Sequence, residues 1–158
     1  MSSMLSASAQ KVQNVLKDCG VSCQVELPVS TRTAQEAADA IGCQSGQIAK
    51  SLVFKAKQSH KPILVIVSGA NRVNEKKLKT LVGEKIKKAD AEFVQEKTGF
   101  AIGGVPPVGH REPLETYIDE ELLQYEEIWA AAGTPHAIFK LTPTELQKIV
   151  RGRVVSVK

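Results

Sequence analysis

The sequence predicts a mixed β-sheet with helices interspersed around it, an α/β or α+β arrangement. Three observations carry this. The run Pro62-Ile63-Leu64-Val65-Ile66-Val67-Ser68 is apolar on both faces, as a central strand must be. Val21, Cys23, Val25 and Leu27 alternate with the period of a half-buried strand. Between such runs stand short helical segments with caps and glycine stops. The 158 residues hold no internal repeat, low-complexity tract or linker, so the chain reads as a single domain spanning 1–158.

Taken in order, Ser8 is placed to cap a helix from about Ala9 to Cys19, with Val12, Val15 and Leu16 on its buried face and Gly20 ending it. The alternating strand Val21 to Leu27 stops at Pro28. Thr33 followed by Glu36 forms a capping box for an alanine-rich helix that Gly42 closes. Ala49 to Lys55 is a strand, joined to Pro62–Ser68 by a hairpin turn through Gln58-Ser59-His60-Lys61. Asn74 begins a helix through Leu81 that ends at Gly83. Ile86 to Ala89 is a brief strand, and Ala91 to Glu96 a short helix broken by Thr98-Gly99. Glu115 to Asp119 is a strand followed by a helical turn from Glu120 to Leu123. Glu127–Ala131 and Ala137–Leu141 are strands joined across Gly133-Thr134-Pro135. Thr142 caps a closing helix from Pro143 to Val150, with proline at its favoured first position. Arg153 to Val157 is the last strand.

Composition narrows the class. Apolar residues are 42% and charged residues 24%, ordinary for a soluble globular protein. Aromatics are 4%, so a nucleic-acid surface here would be poor in stacking platforms. The net charge of +4 favours a polyanionic partner without proving one. Cys19, Cys23 and Cys43 form no C-x-x-C pair and no ligand cluster completes them, so reduced thiols are expected rather than a metal site. No apolar run is long enough to span a bilayer and no basic leader precedes one, so the expected location is the cytoplasm.

The densest special segment is Thr98 to His110, with four glycines and two prolines. Pro106 and Pro107 fix φ, and side-chain-free amides at Gly103, Gly104 and Gly109 are expected to lie open to a carbonyl, an oxyanion or a phosphate. Read alone, the segment is equally a plain turn between two strands.

The motifs point further. Gly104-Val105-Pro106-Pro107-Val108-Gly109 resembles the G-x-x-P-x-G loop of the YbaK/prolyl-tRNA synthetase editing-domain family. Gln47 to Phe54 resembles that family's lysine segment, and Ala130 to His136 its last glycine turn. The three stand in register from about Val21 to the C-terminus. The resemblance implies a curved, barrel-like mixed sheet and an aminoacyl-tRNA deacylase of the free-standing kind. It also implies no metal or organic cofactor. The implied substrate is a small amino acid mischarged on tRNA, with tRNA for proline as the family-based choice. The implied partner is the aminoacylated acceptor end of tRNA, with a synthetase or an elongation factor as further partners. Two other classes stay open: a non-catalytic tRNA-binding or regulatory module on the same fold, and a hydrolase of another small acyl ester or nucleotide.

Site residues follow from both readings. Lys50 falls on the face of Ile48 and Leu52, where an ammonium is expected only if that face opens on a cleft; otherwise it is an edge lysine reaching water. The resemblance makes it the functional lysine, a charge clamp for a phosphate or the terminal ribose. Backbone amides at Gly103 and Gly104 are the candidate oxyanion donors, helped by a positioned water and the substrate's own ribose hydroxyl, a substrate assistance the resemblance implies. No Ser-His-Asp arrangement or G-x-S-x-G elbow is present. His110 is a candidate donor or shuttle, with an exposed loop histidine as the alternative. Pro107, Gly109, His136 and Thr31 are candidate substrate contacts. Asp119 is another, either orienting Lys50 or simply capping Glu120-Glu121-Leu122. Arg72, Lys76, Lys77 and Lys79 open the densest basic run, continued by Lys85, Lys87 and Lys88. They are assigned to the tRNA backbone, with Lys55, Lys57 and Lys61 as extensions; a solvated face is the alternative.

Overall fold

Hairpin pairing between two long strands organises the chain. In the computed structural model, which describes residues 7–20, 25–26, 33–134 and 136–158, strand β2 (Ile48–Ala56) pairs antiparallel with β3 (Pro62–Ser68) from Ala49↔Ser68 to Lys55↔Pro62. The turn between them holds His60 at φ 63°, and the Glu84 carboxylate accepts hydrogen bonds from the Gln58 and Ser59 amides. Every residue of β3 is buried, as a run apolar on both faces demands.

The sheet grows from this pair. Its order is β1-β7-β6-β2-β3-β5-β8, with β4 also paired to β2, eight strands among the described residues. Here β1 is Val25–Glu26, β4 Ile86–Lys88, β5 Glu115–Asp119, β6 Ile128–Ala131, β7 Ala137–Leu141 and β8 Arg153–Val155. The β2–β6, β3–β5 and β5–β8 pairs are parallel and the others antiparallel, the mixed sheet expected from sequence. The helices are α1 (Ala7–Asp18), α2 (Ala34–Ile41), α3 (Glu75–Val82), α4 (Ala91–Thr98) and α5 (Pro143–Ile149).

Local chemistry sets the helix ends. The side chains of Thr33, Asn74, Asp90 and Thr142 accept from amides of the first turns of α2, α3, α4 and α5, and Thr142 with Glu145 completes a capping box. Gly42, Gly83 and Gly99 close α2, α3 and α4 in the left-handed region. Ser8 lies inside the first turn of α1 instead of capping it. Of the strand expected from Val21 to Leu27, Val25–Glu26 pairs with β7 and the rest lies outside the described residues.

The two faces of the sheet bury separate cores. Ala49, Val53, Leu64 and Ile66 pack with Val12 and Leu16 of α1, Phe93 and Val94 of α4, and Phe100, Val105 and Phe139. On the other face Phe54, Ile63, Val65, Val67 and Tyr117 pack with Leu78 of α3. Alternation along β2 thus sends Ala49 and Val53 to one core and Phe54 and Ala56 to the other.

Candidate active site

A cleft of about 580 Å³ lies along β2. Its lining includes every residue from Ile48 to Phe54, although period two sends neighbours to opposite faces. The sheet pairing explains this. The outer edge of β2 pairs with β6 only at Ile48 and Ala49, and with β4 only from Phe54 to Ala56. Between these ladders the edge from Lys50 to Val53 has no strand beside it among the described residues. The cleft is this slot, and it reaches both faces around the open edge.

Three expected residues meet there. Lys50 is half-buried on the face of Val67, its partner on β3, and lines the slot together with Arg72 and Gly103. Gly103 is exposed at φ 89°, and its N–H has no partner among the described residues. The remaining wall combines small and apolar side chains, Ala49, Ala89, Val94, Val105 and Ala130, with Asn71, Glu75 and Lys88 at the polar rim. Ile102, 56% exposed, also lines the slot.

Other expected residues serve the framework instead. The Gly104 amide is not open: it donates to Ala101 O at 3.0 Å in a tight turn, and the residue is buried. A Cβ there would stand 2.7 Å from Thr134 Cα, so this glycine lets two loops touch. Pro107 is buried, and Gly109, at φ 82°, lies against Val15 and Phe100; neither lines the slot. His110 Nε2 donates to Pro106 O at 2.7 Å, latching the loop on itself away from the slot. Burial holds its pKa below the ordinary histidine value, and Lys11 adds to this, against the pull of the Pro106 hydrogen bond.

Asp119, 1% exposed, acts as a cap and a clamp. Its Oδ1 accepts from the Glu121 amide at 2.9 Å, and its Oδ2 from the Ser68 amide and Asn71 Nδ2. It does not line the slot. His136 is exposed, with its amide on Thr134 Oγ1, and its ring stands outside the slot. Thr31 lies outside the described residues. Lys76, Lys77 and Lys79 are exposed on α3, whose first residue, Glu75, lines the slot.

Comparison with known proteins decides the family. The sequence profile of the aminoacyl-tRNA editing domain matches residues 29–149. The chain belongs to that family. It is 33% identical over 129 residues to YwhH of Bacillus subtilis, covering 82% of each chain. It is 26% identical over 126 residues to EbsC of Enterococcus faecalis, a protein named as a candidate Cys-tRNA(Pro)/Cys-tRNA(Cys) deacylase, covering 79% of this chain and 76% of that one. A solved structure described as a candidate trans-editing enzyme for prolyl-tRNA synthetase superposes with a TM-score of 0.92 at 51% identity, over 98% of this chain and 99% of that one. A proline–tRNA ligase of Limosilactobacillus fermentum shares 34% identity over 94 residues, 57% of this chain and 16% of the ligase. The activity class of this editing domain is hydrolysis of aminoacyl-tRNA. Among the described residues no helix is long and apolar enough to cross a membrane.

Ser51, Asn71 and Glu75 line the slot without having been singled out from sequence. Ser51 lies on the face opposite Lys50, so only the missing strand brings both to one cleft.

Proposed function

We propose that the protein acts in the cytoplasm as a trans-editing deacylase of tRNA for proline mischarged with a small amino acid, alanine or cysteine. The observation that carries this is the convergence of Lys50, Arg72 and the free Gly103 amide on one slot whose apolar lining includes the small side chains of Ala49, Ala89 and Ala130. The two cations hold the phosphates and ribose of the tRNA end, while the small apolar wall takes the aminoacyl side chain. The resemblance to EbsC supports cysteine and the likeness to the prolyl trans-editing structure supports tRNA for proline. For the chemistry, water attacks the ester carbonyl while the Gly103 N–H donates to the developing oxyanion. The acyl C–O bond then breaks, releasing the amino acid and the terminal ribose oxygen, which takes up the water's proton with the neighbouring ribose hydroxyl assisting.

A panel of tRNAs charged with alanine, cysteine, serine or proline tests this. The expected result is loss of label from alanyl- or cysteinyl-tRNA(Pro) well above the buffer rate, with prolyl-tRNA(Pro) spared. Binding of tRNA with no deacylation of any member would instead mark a non-catalytic tRNA-binding module.

A further inference from the structure

We propose that Ser51 is the specificity-determining residue that reads the free α-ammonium of the aminoacyl ester; this rests on the deacylase reading above. The open edge of β2 supplies the first argument. Ala56 N bonds Lys61 O on the β3 side, whereas Val53 O accepts from Ala89 N and Lys57 N donates to Lys85 O on the β4 side. Even-numbered residues of β2 therefore turn their main-chain groups to β3, and odd-numbered ones turn them outward. Ser51 is an odd residue in the gap between the β6 and β4 ladders. Its N–H and C=O project outward from that edge, with no strand among the described residues to receive them.

The side chain supplies the second argument. Ser51 Oγ is enclosed and has no hydrogen-bond partner among the described residues. An unpaired buried hydroxyl is a standing cost, which a donor group bound in the slot that Ser51 lines would relieve. An ammonium placed there meets two acceptors, the Ser51 carbonyl and its hydroxyl. A ligand straddling the open edge then lays its phosphates and ribose on the Lys50 and Arg72 side. Its aminoacyl group enters beside Ser51, Ala49 and Ala130 on the other.

The test compares the parent with Ser51→Ala on alanyl-tRNA(Pro) and on lactyl-tRNA(Pro), which has the same shape with a hydroxyl in place of the amine. Each rate is divided by that substrate's spontaneous hydrolysis. The parent is expected to favour the alanyl ester by at least about tenfold, the worth of a hydrogen bond to a charged group. Ser51→Ala is expected to lose about tenfold on the alanyl ester and little on the lactyl ester. Its melting temperature should hold or rise, because the variant deletes an unpaired hydroxyl. Equal losses on both substrates, or no loss on either, would overturn the assignment while leaving the deacylase reading in place. If the parent hydrolyses neither ester, the deacylase reading fails there. Calorimetric binding of 3′-alanylamino-3′-deoxyadenosine and its lactyl counterpart then decides Ser51 separately. A preference for the amine that vanishes in Ser51→Ala supports the assignment, and equal affinities overturn it.

Discussion

Asp119 Oδ2 accepts hydrogen bonds from Asn71 Nδ2 at 2.9 Å and from the Ser68 amide at 3.0 Å, so one buried carboxylate holds the turn that presents Arg72 to the slot. The same side chain caps the helical turn after β5 through the Glu121 amide. Three donors converge on a group that water does not reach.

Asp119→Ala should therefore lose stability first. Stranding buried donors of a charged acceptor costs about 3 kcal/mol or more. At this chain length that is a fall of about 6–12 °C in melting temperature. With Arg72 no longer held, KM for charged tRNA should rise more than kcat falls. A variant that melts like the parent would show that the clamp is not used.

Gly104→Ala and Gly103→Ala should separate two roles within one loop. A Cβ on Gly104 would stand 2.7–2.9 Å from the Thr134 backbone, and neither backbone can move aside cheaply. Its alanine variant should lose about 1–3 kcal/mol by overpacking, with activity falling in step. Gly103 lines the slot at φ 89°, where an L-residue costs about 1–2 kcal/mol. If its amide is the proposed oxyanion donor, its alanine variant should lose deacylation well beyond that, because the shifted N–H would miss the oxyanion. A full loss of activity in Gly104→Ala at parental melting temperature would return the oxyanion role to that residue.

These contrasts show which features the sequence made legible. Caps at Thr33, Asn74 and Thr142 and stops at Gly42 and Gly83 depend on bonds a few residues apart, so local pattern suffices to place them. The all-buried β3 announces itself by composition. Lys50 could be singled out because a cation interrupts an apolar strand inside a segment that resembles the family's lysine motif. Gly103 and Gly104 could not be told apart, because their difference lies in contacts with Ala101 and with the distant Thr134. Ser51 was hidden for a similar reason. Its importance arises from where β6 stops and β4 starts, and strand register across dozens of residues is not written in local periodicity.

Lys50→Ala should cut deacylation by about a hundredfold, the usual loss of an electrostatic contact to reacting or adjoining groups, with the melting temperature nearly unchanged. The half-buried side chain forms no ion pair among the described residues, so little folding energy depends on it. Lys50→Arg should recover only part of the rate, because a planar fork does not replace a compact ammonium in a narrow slot. Parental activity in Lys50→Ala would make this an edge lysine that merely reaches water.

Two lysine groups adjoin the slot residues Glu75 and Lys88, and salt dependence should rank them. Lys76, Lys77 and Lys79 are exposed on α3, and Lys77 Nζ also reaches Lys158 O. On the β2–β4 ribbon Lys55 pairs with Lys87 and Phe54 with Lys88, concentrating positive charge there. Each lost phosphate contact should flatten the log-log salt dependence of tRNA binding by about 0.7–0.9. The triple alanine variant of α3 and a Lys87→Ala, Lys88→Ala double variant, titrated against uncharged tRNA, measure the two shares. A slope unchanged in the α3 variant would make that run a solvated face.

His110 predicts a pH dependence of folding. Its ring is held neutral by burial beside Lys11 while Nε2 donates to Pro106 O. The folded-state pKa is therefore below the unfolded value of about 6.5. As pH falls past that value the unfolded chain takes up the proton first. The stabilisation is complete above the unfolded pKa and is lost progressively as pH falls through the folded one. His110→Gln keeps an amide donor for Pro106 O and removes the titration. Urea unfolding from about pH 7.5 down to about pH 5 should show the parent losing stability faster than this variant. The carboxylates with depressed pKa values, Glu84 and Glu121, act only below their ordinary range and so outside this window. Parallel curves for the two proteins would mean that His110 titrates alike folded and unfolded, and that its hold on the glycine loop does not depend on its charge.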